Sequence, residues 1–177
     1  ITAYSAGSIV AVLFMCKKTD LDELKSICIN LLKKKKIGHI SKLFFELMDT
    51  LLPENAHTQV NNKLEILLCD PLNGFNSKII KKWNSRSDLI NCIIASCFIP
   101  GFSEFKLNDS NYNCVDGAFC RDLYTIMSKF NHIIELKIGG FIDTINTVNI
   151  DDALELYNLG NKECLDYLYI DNNEIKK

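Results

Sequence analysis

Ser5 lies between small residues in the stretch TAYSAGSIVAV (residues 2–12), and a continuous apolar run follows it. Small residues at Ala3 and Gly7, two before and two after the serine, are typical of a tight strand-to-helix turn that exposes a nucleophilic hydroxyl. Ala3 stands where the usual pattern has glycine, and Tyr4 adds a bulky ring beside the serine. Such a serine attacks a carbonyl carbon once a base removes its proton. Alternatively, Ser5 is one more small residue at the start of a buried helix.

A second candidate for chemistry is Asp116, which follows the apolar residues of YNCVDG (residues 112–117). Burying a carboxylate is costly unless another group interacts with it, so this position favours a functional partner. Binding groups of α/β sheets gather at the carboxyl ends of strands, where Asp116 could accept the proton of Ser5. Asp116-Gly117 is also a common turn sequence, which permits a purely structural interpretation.

Histidine offers a different arrangement of the same nucleophile. Ser5, Asp116 or Asp122, and His132 follow the order serine, acid, histidine of α/β-hydrolase triads. Against this hypothesis, His132 begins the apolar stretch HIIELKIG, a position more typical of a surface residue. We interpret His57 as a structural or surface residue.

The composition indicates no metal, nucleic-acid or membrane-spanning function. The eight cysteines form no C-x-x-C pair and the histidines lack zinc-finger spacing, so we expect no metal and no cofactor. Cysteines within apolar runs favour a reduced, intracellular setting. The net charge of −2 does not suggest nucleic acid, and the longest apolar run, residues 9–16, is far shorter than the roughly 20 residues of a membrane span. The lysines at 33–36 predict a solvated helix end or contact with an anionic lipid surface.

The candidate residues need a sheet and helices to position them. Apolar spacing predicts a helix capped by Thr19 or Asp20, a second ended by Pro53, and a third that Ser87 caps and Pro100 ends. The apolar stripes of the first two helices run over residues 21–32 and 40–51, the third helix lies in the stretch 87–101, and a last helix runs from residue 151 onward. Branched residues predict strands at 63–70, 77–84, 112–117 and 132–139. The alternation favours an α/β fold with a largely parallel sheet covered on both faces, in a single domain over residues 1–177.

The ordered motifs resemble the patatin-like phospholipase family, and within it the adipose triglyceride lipase and adiponutrin branch. SAGSIVA resembles the family's G-x-S-x-G turn, and VDGAF resembles its D-G-G or D-G-A motif. Between them, LLPENAHTQVNNKLEILL and SRSDLINCIIASCFIPGF resemble intervening stretches of the branch, and NLGNKECLDYL resembles its closing helix. The likeness covers most of the chain in the same order.

This resemblance implies a three-layer α/β/α fold with a mainly parallel central sheet. It implies a Ser5–Asp116 dyad that hydrolyses lipid esters, either triacylglycerol or phospholipid, through an acyl-enzyme. The N–H of Ala6 would supply one oxyanion donor. The residues that would support the two turns and the oxyanion are Ala3, Ala6, Gly7 and Gly117.

The family's first strand and its glycine-rich oxyanion loop precede the nucleophile strand, and the sequence begins about at that strand. We therefore expect an N-terminally incomplete domain that lacks the oxyanion donors other than the Ala6 N–H. The expected partner is a lipid ester at a peripheral membrane or lipid-droplet surface, in an intracellular or cytoplasmic setting, without nucleic acid and with no protein partner predicted. The alternative is a catalytically degenerate module that binds lipid or a protein. Retention of both Ser5 and Asp116 favours the enzyme.

Overall fold

The computed structural model describes residues 1–18, 20–33, 40–101 and 112–130. They belong to the unit Ile1–Phe130, and a second unit, Asn131–Lys177, lies outside the described residues. The predicted strand at 132–139 and the helix predicted from residue 151 therefore also lie outside them. The single domain over residues 1–177 remains a prediction.

Helices alternate with short strands along the described part of the chain. The helices are α1 (Ala6–Met15), α2 (Leu21–Lys33), α3 (Ile40–Leu51), α4 (Ala56–Val60), α5 (Arg86–Ser96) and α6 (Leu123–Met127). The strands are β1 (Thr2–Ala3), β2 (Glu65–Asp70), β3 (Asn76–Ile80) and β4 (Val115–Asp116). The mixed α/β class that the sequence predicts is confirmed.

The starts of two helices follow side-chain caps. Asp20 Oδ1 accepts hydrogen bonds of 3.0 Å from the backbone N–H groups of Asp22 and Glu23, so Asp20 caps α2 as predicted. The cap of α5 is Ser85, whose Oγ accepts the Asp88 N–H at 3.1 Å, so the prediction of Ser87 as this cap was wrong. Ser85 has the extended backbone that a cap requires, whereas Ser87 already lies inside the helix.

The sheet is built around β2, which pairs along both of its edges. β1 runs parallel to it, with Ala3 opposite Ile66. β4 runs antiparallel to it, with Asp116 opposite Leu68. Because β3 also pairs with Leu68, from the opposite edge, β1 and β4 share one edge of β2 and occupy successive positions on it.

The described sheet is mixed in direction, where the sequence predicts a mainly parallel one. The β1–β2 pairing is parallel, whereas the β2–β3 and β2–β4 pairings are antiparallel. A 3₁₀ turn, Pro71–Asn73, and Gly74 in the left-handed conformation connect β2 to β3. A connection this short can only reverse the chain, because parallel neighbours need a crossover of a dozen or more residues.

Alternate side chains of β2 enter two hydrophobic cores. Ile66 and Leu68 pack with residues of α1, α3, α4 and α5. Leu67 and Cys69 pack in a second core with Phe98. All four β2 side chains are 0–1% exposed, so both faces of the strand are removed from water. This burial makes β2 a rigid support for whatever follows the strands on either side of it.

Polar contacts at the start of β2 hold β1 in register. Thr2 Oγ1 donates a 2.9 Å hydrogen bond to Glu65 Oε2, and Lys81 Nζ lies 2.6 Å from Glu65 Oε1. The hydrogen bonds from Lys81 and then from Thr2 lower the pKa of the Glu65 carboxyl. The register they support determines where the chain leaves β1 toward Ser5.

Candidate active site

Ser5 lies on a sharp turn between β1 and α1. Its backbone has φ 53° and ψ −142°, a combination that residues other than glycine rarely adopt. A conformation of this kind costs on the order of 1–3 kcal/mol and persists only when surrounding contacts enforce it. The strand-to-helix turn predicted around Ser5 is therefore present, and it is strained.

Hydrogen bonds hold both backbone polar groups of Ser5. Its N–H donates to Ser96 Oγ at 2.8 Å. Its carbonyl oxygen accepts bonds from Ser8 Oγ at 2.7 Å and from the Ser8 N–H at 2.9 Å. Ser8 and Ser96 are both 0% exposed, so water does not compete for these contacts. They supply the fixed surroundings that the strained turn requires.

Asp116 is the last residue of β4 and is 3% exposed. Its N–H donates to the Phe98 carbonyl oxygen at 2.9 Å, which fixes its backbone beside the segment after α5. Its Oδ1 accepts the Ala118 N–H at 2.8 Å and caps the 3₁₀ turn Gly117–Phe119. One carboxylate oxygen thus anchors the following turn, and the other is left to face a partner.

That partner is Ser5, whose Oγ donates to Asp116 Oδ2 at 2.6 Å. A distance this short is typical of a hydroxyl bonded to a charged carboxylate. Burial raises the pKa of Asp116, and the bonds from Ser5 and from the Ala118 N–H partly oppose the rise. The raised pKa makes the ionised form of this carboxylate a stronger proton acceptor than an exposed aspartate.

Gly117 is required by the close approach of three segments. A Cβ on Gly117 would lie 2.7 Å from the Leu67 carbonyl oxygen and 2.8 Å from Tyr4 Cβ. Real Cβ atoms do not approach other atoms this closely, so a side chain here would force the backbone of β2, the Tyr4 segment or the turn after Asp116 to shift. Gly117 therefore supports the site through space rather than through a positive φ.

The small residues around Ser5 differ in what they do. Ala3 is buried in the main hydrophobic core, in one cluster with residues of β2 and of the helices. A Cβ on Gly7 would meet no described atom within 4 Å, so close packing among the described residues does not explain why position 7 is glycine.

Ala6 is the first residue of α1, so its N–H makes no hydrogen bond within the helix. That N–H is available as a hydrogen-bond donor directly after Ser5.

Asp122, one of the two acids considered for a Ser–His–Asp triad, bonds Ser77 in β3. Asp122 accepts the hydroxyl of Ser77 at 2.6 Å and the Ser77 N–H at 3.2 Å, which ties the segment after Asp116 to β3. It is thus used in a structural contact and does not bond Ser5. His132 lies outside the described residues, and His57 lies in the short helix α4 with a buried Nδ1 that has no described partner.

Sequence reasoning missed Ser96 and Ser8, which hold the nucleophile turn. Ser96 interrupts the apolar run of α5 at its last residue, and this is the signal that could have indicated a buried polar role. Ser8 lies three residues after Ser5, a spacing at which helix side chains reach back to the first carbonyl.

Metal ligands, membrane-spanning helices and free thiols were the other features relevant to function. No group of three or more metal-ligating side chains occurs among the described residues. None of their helices combines the length and the apolar character needed to cross a membrane. The described cysteines that carry free thiols are Cys16, Cys69, Cys92, Cys97, Cys114 and Cys120.

No family model matches the chain, but curated relatives do. Over 108 residues it is 30% identical to 1-acylglycerol-3-phosphate O-acyltransferase Pnpla3 of Mus musculus, a match that covers 56% of this chain and 26% of that protein. Over 129 residues it is 24% identical to Patatin-like phospholipase domain-containing protein 4 of Homo sapiens, covering 67% of this chain and 51% of that protein. The matches thus span about half or less of each relative. They support a patatin-like family for this chain.

Proposed function

We propose that the chain is a lipid acyl hydrolase of the patatin-like type, with Ser5 as nucleophile and Asp116 as base. The observation that carries the proposal is the 2.6 Å hydrogen bond between Ser5 Oγ and Asp116 Oδ2 on a strained turn. A scaffold has no need to bury a carboxylate against a hydroxyl at such a turn. The order of motifs along the chain further supports the adipose triglyceride lipase and adiponutrin branch.

The first half-reaction forms an ester on Ser5. As Oγ attacks the carbonyl carbon of the substrate ester, its proton passes to Asp116 Oδ2 and the carbonyl oxygen becomes an oxyanion. The Ala6 N–H, at the positive end of α1, donates to that oxygen. When the intermediate collapses, the bond to the alcohol breaks, and the alcohol leaves with the proton from Asp116. The fatty acyl group remains on Ser5.

The second half-reaction releases the acyl group. A water molecule gives its proton to Asp116 and attacks the acyl carbonyl, after which Ser5 Oγ leaves and regains the proton. The products are a free fatty acid and the original dyad. No metal or cofactor is needed for either step, since the proton moves only between Ser5, Asp116 and the substrates.

Acyl transfer is a second candidate activity, favoured by the name of the mouse relative, an acylglycerol-phosphate acyltransferase. It would use the same acyl-enzyme with a lipid hydroxyl in place of water as the attacking group. Hydrolysis and transfer are separated by supplying a lysophospholipid acceptor and measuring whether labelled acyl chains appear as free acid or as diacyl lipid.

The proposed substrates are long-chain acyl esters of triacylglycerol or phospholipid, met at a membrane or lipid-droplet surface. The names of both relatives refer to lipid chemistry. The exposed Lys78 and Lys82 are available to contact anionic lipid near such a surface.

Fluorophosphonate labelling tests the proposal directly. The labelled peptide is identified by mass spectrometry in the 177-residue chain and, if the reading frame continues upstream, in the extended version. We expect label on Ser5, and its loss in Asp116→Asn. Label in the extended version alone would indicate that upstream residues complete the oxyanion site. Absence of label on Ser5 in both would contradict the enzyme and favour a degenerate module that binds lipid or a protein.

A further inference from the structure

We propose that Ser96 is a positioning residue for the reaction, which fixes the backbone of Ser5 so that Oγ stays within bonding distance of Asp116. This inference rests on the proposed function. Ser96 is the last residue of α5 and does not contact the carboxylate in any described hydrogen bond. It acts through Ser5 alone.

The Ser96 hydroxyl is used in both directions. Its oxygen accepts the Ser5 N–H at 2.8 Å, and its proton is directed to the Leu67 carbonyl oxygen at 3.3 Å. Only a group that both accepts and donates can do this, and alanine can do neither. The hydroxyl therefore connects the nucleophile turn to the middle of β2.

The Leu67 carbonyl oxygen, which accepts the Ser96 hydroxyl, lies next to both halves of the site. It is also the atom that leaves no room for a side chain on Gly117, the residue after Asp116. The turn that carries Ser5 and the turn that follows Asp116 are thus both located against the same peptide group of β2. Ser96 holds the nucleophile half of the site at the point where close packing holds the aspartate half.

Within the part of the chain that the structure describes, the Ser96 oxygen is the acceptor that the Ser5 N–H bonds. The side chain is 0% exposed, so bulk water does not reach it. The carbonyl of Ser5 is secured twice by Ser8, through its hydroxyl and through its N–H. The N–H of Ser5 has Ser96 as its described acceptor. Removing Ser96 Oγ would therefore leave a polar group without a partner at a strained residue.

The test compares Ser96→Ala and Ser96→Thr with the unaltered chain, and with Ser41→Ala as a matched control. Ser41 is also a buried serine, 2% exposed, but it lies in α3. The readouts are kcat and KM on p-nitrophenyl butyrate, the rate of fluorophosphonate labelling at Ser5, and hydrogen exchange of the Ser5 amide by NMR. Urea unfolding verifies that each variant is folded under the assay conditions.

For Ser96→Ala we expect kcat and the labelling rate to fall about tenfold to hundredfold, the effect of one lost buried hydrogen bond. KM should change little, and exchange of the Ser5 amide should accelerate by a similar factor. Ser96→Thr, which keeps the hydroxyl, should recover most of kcat. Ser41→Ala should leave kcat and Ser5 exchange unchanged, even where it lowers stability as much.

Two results would overturn the inference in distinguishable ways. If the unaltered chain labels at Ser5 and Ser96→Ala has the kcat of Ser41→Ala, Ser96 is only structural and the proposed function stands. If neither the unaltered chain nor its upstream-extended version labels at Ser5, the proposed function fails and the positioning role fails with it. Should Ser96→Thr not fold, the comparison of the two alanine variants still decides.

Discussion

Ser5 and Asp116 are separated by 111 residues and meet because their strands occupy one edge of β2 in succession. β1 leaves that edge after Ala3, opposite Ile66. Further along the same edge, β4 pairs with β2, and Asp116 lies opposite Leu68. The end of one strand therefore faces the end of the other, and the hydroxyl and the carboxylate bridge the gap.

Removing the base should nearly abolish the reaction. In Asp116→Asn the amide cannot accept the Ser5 proton, so we expect kcat to fall by about 10²–10⁴. The measurement is initial-rate hydrolysis of a short-chain p-nitrophenyl ester. Asp122→Asn is the matched control, because it alters an aspartate that bonds Ser77 instead of Ser5. Equal losses in the two variants would contradict the dyad.

Activity should have an acidic limit above the ordinary range of an aspartate. Asp116 accepts a proton only while ionised, and burial raises its pKa. As the pH falls through that raised value, kcat/KM should fall tenfold per pH unit for a single essential group. The profile is measured on a neutral ester, so that the substrate does not titrate. A rate that stays constant down to about pH 4, the reference value for aspartate, would contradict the assignment.

The same buried carboxylate should reduce stability at neutral pH. Because the pKa of Asp116 is higher in the folded protein than in the unfolded chain, the unfolded chain releases this proton first. The folded protein therefore loses stability as the pH rises from the pKa of Asp116 in the unfolded chain to its pKa in the folded protein. Above the folded pKa this loss, which is the cost of burying the ionised carboxylate, is complete. Asp116→Asn removes the penalty and should raise the urea midpoint at pH 7.

The comparison is made by urea unfolding of both proteins at pH 7 and at pH 4. The advantage of Asp116→Asn should shrink toward acid, where the carboxyl becomes protonated in folded and unfolded states alike. An advantage that grows toward acid would have the wrong sign for a raised pKa.

Two glycines should respond in opposite directions to alanine. Gly117→Ala places a Cβ against Leu67 and Tyr4 and should lower the free energy of unfolding by about 1–3 kcal/mol. Gly7→Ala places one in open space within α1 and should raise it by up to about 1 kcal/mol, since alanine favours helix. Chemical denaturation of the two variants measures both changes. Changes of the same sign would contradict the close packing at Gly117.

The strain at Ser5 can be measured by removing its side chain in two ways. Both Ser5→Ala and Ser5→Gly lack the hydroxyl, but only glycine adopts φ 53° and ψ −142° without cost. We expect Ser5→Gly to be more stable than Ser5→Ala by about 1 kcal/mol, the left-handed penalty reduced by the greater chain entropy of unfolded glycine. Thermal unfolding of the pair measures the difference. Greater stability of Ser5→Ala would show that the turn carries no strain.

Local features of the fold were predictable because local residues determine them. Pro53 ends α3 and Asp20 begins α2, as capping and proline geometry require. The strand predicted at 63–70 is present as Glu65–Asp70, and the one predicted at 77–84 as Asn76–Ile80. Each of these elements has its cause within a few residues of sequence.

The supporting contacts of the candidate site were not predictable in this way. The bond from Ser5 to Ser96 spans 91 residues. Ser96 interrupts an apolar run, but no local pattern indicates which distant backbone group its hydroxyl contacts. The direction of β4 depends on the path of the chain through the fold, which no local pattern encodes. The pairing of Ser5 with Asp116 was expected from the order of motifs, whereas its geometry depends on β2.

The central position of β2 has a consequence for the order of folding. The hairpin of β2 and β3 joins residues that are close in sequence, whereas the contact between Thr2 and Glu65 closes a loop of 63 residues. Long loops form later, because their entropy is lost before their contacts stabilise the chain. We therefore expect Ser5 and Asp116 to meet only at the end of folding. The rate at which Ser5 becomes reactive during refolding would then report the rate of the last folding step.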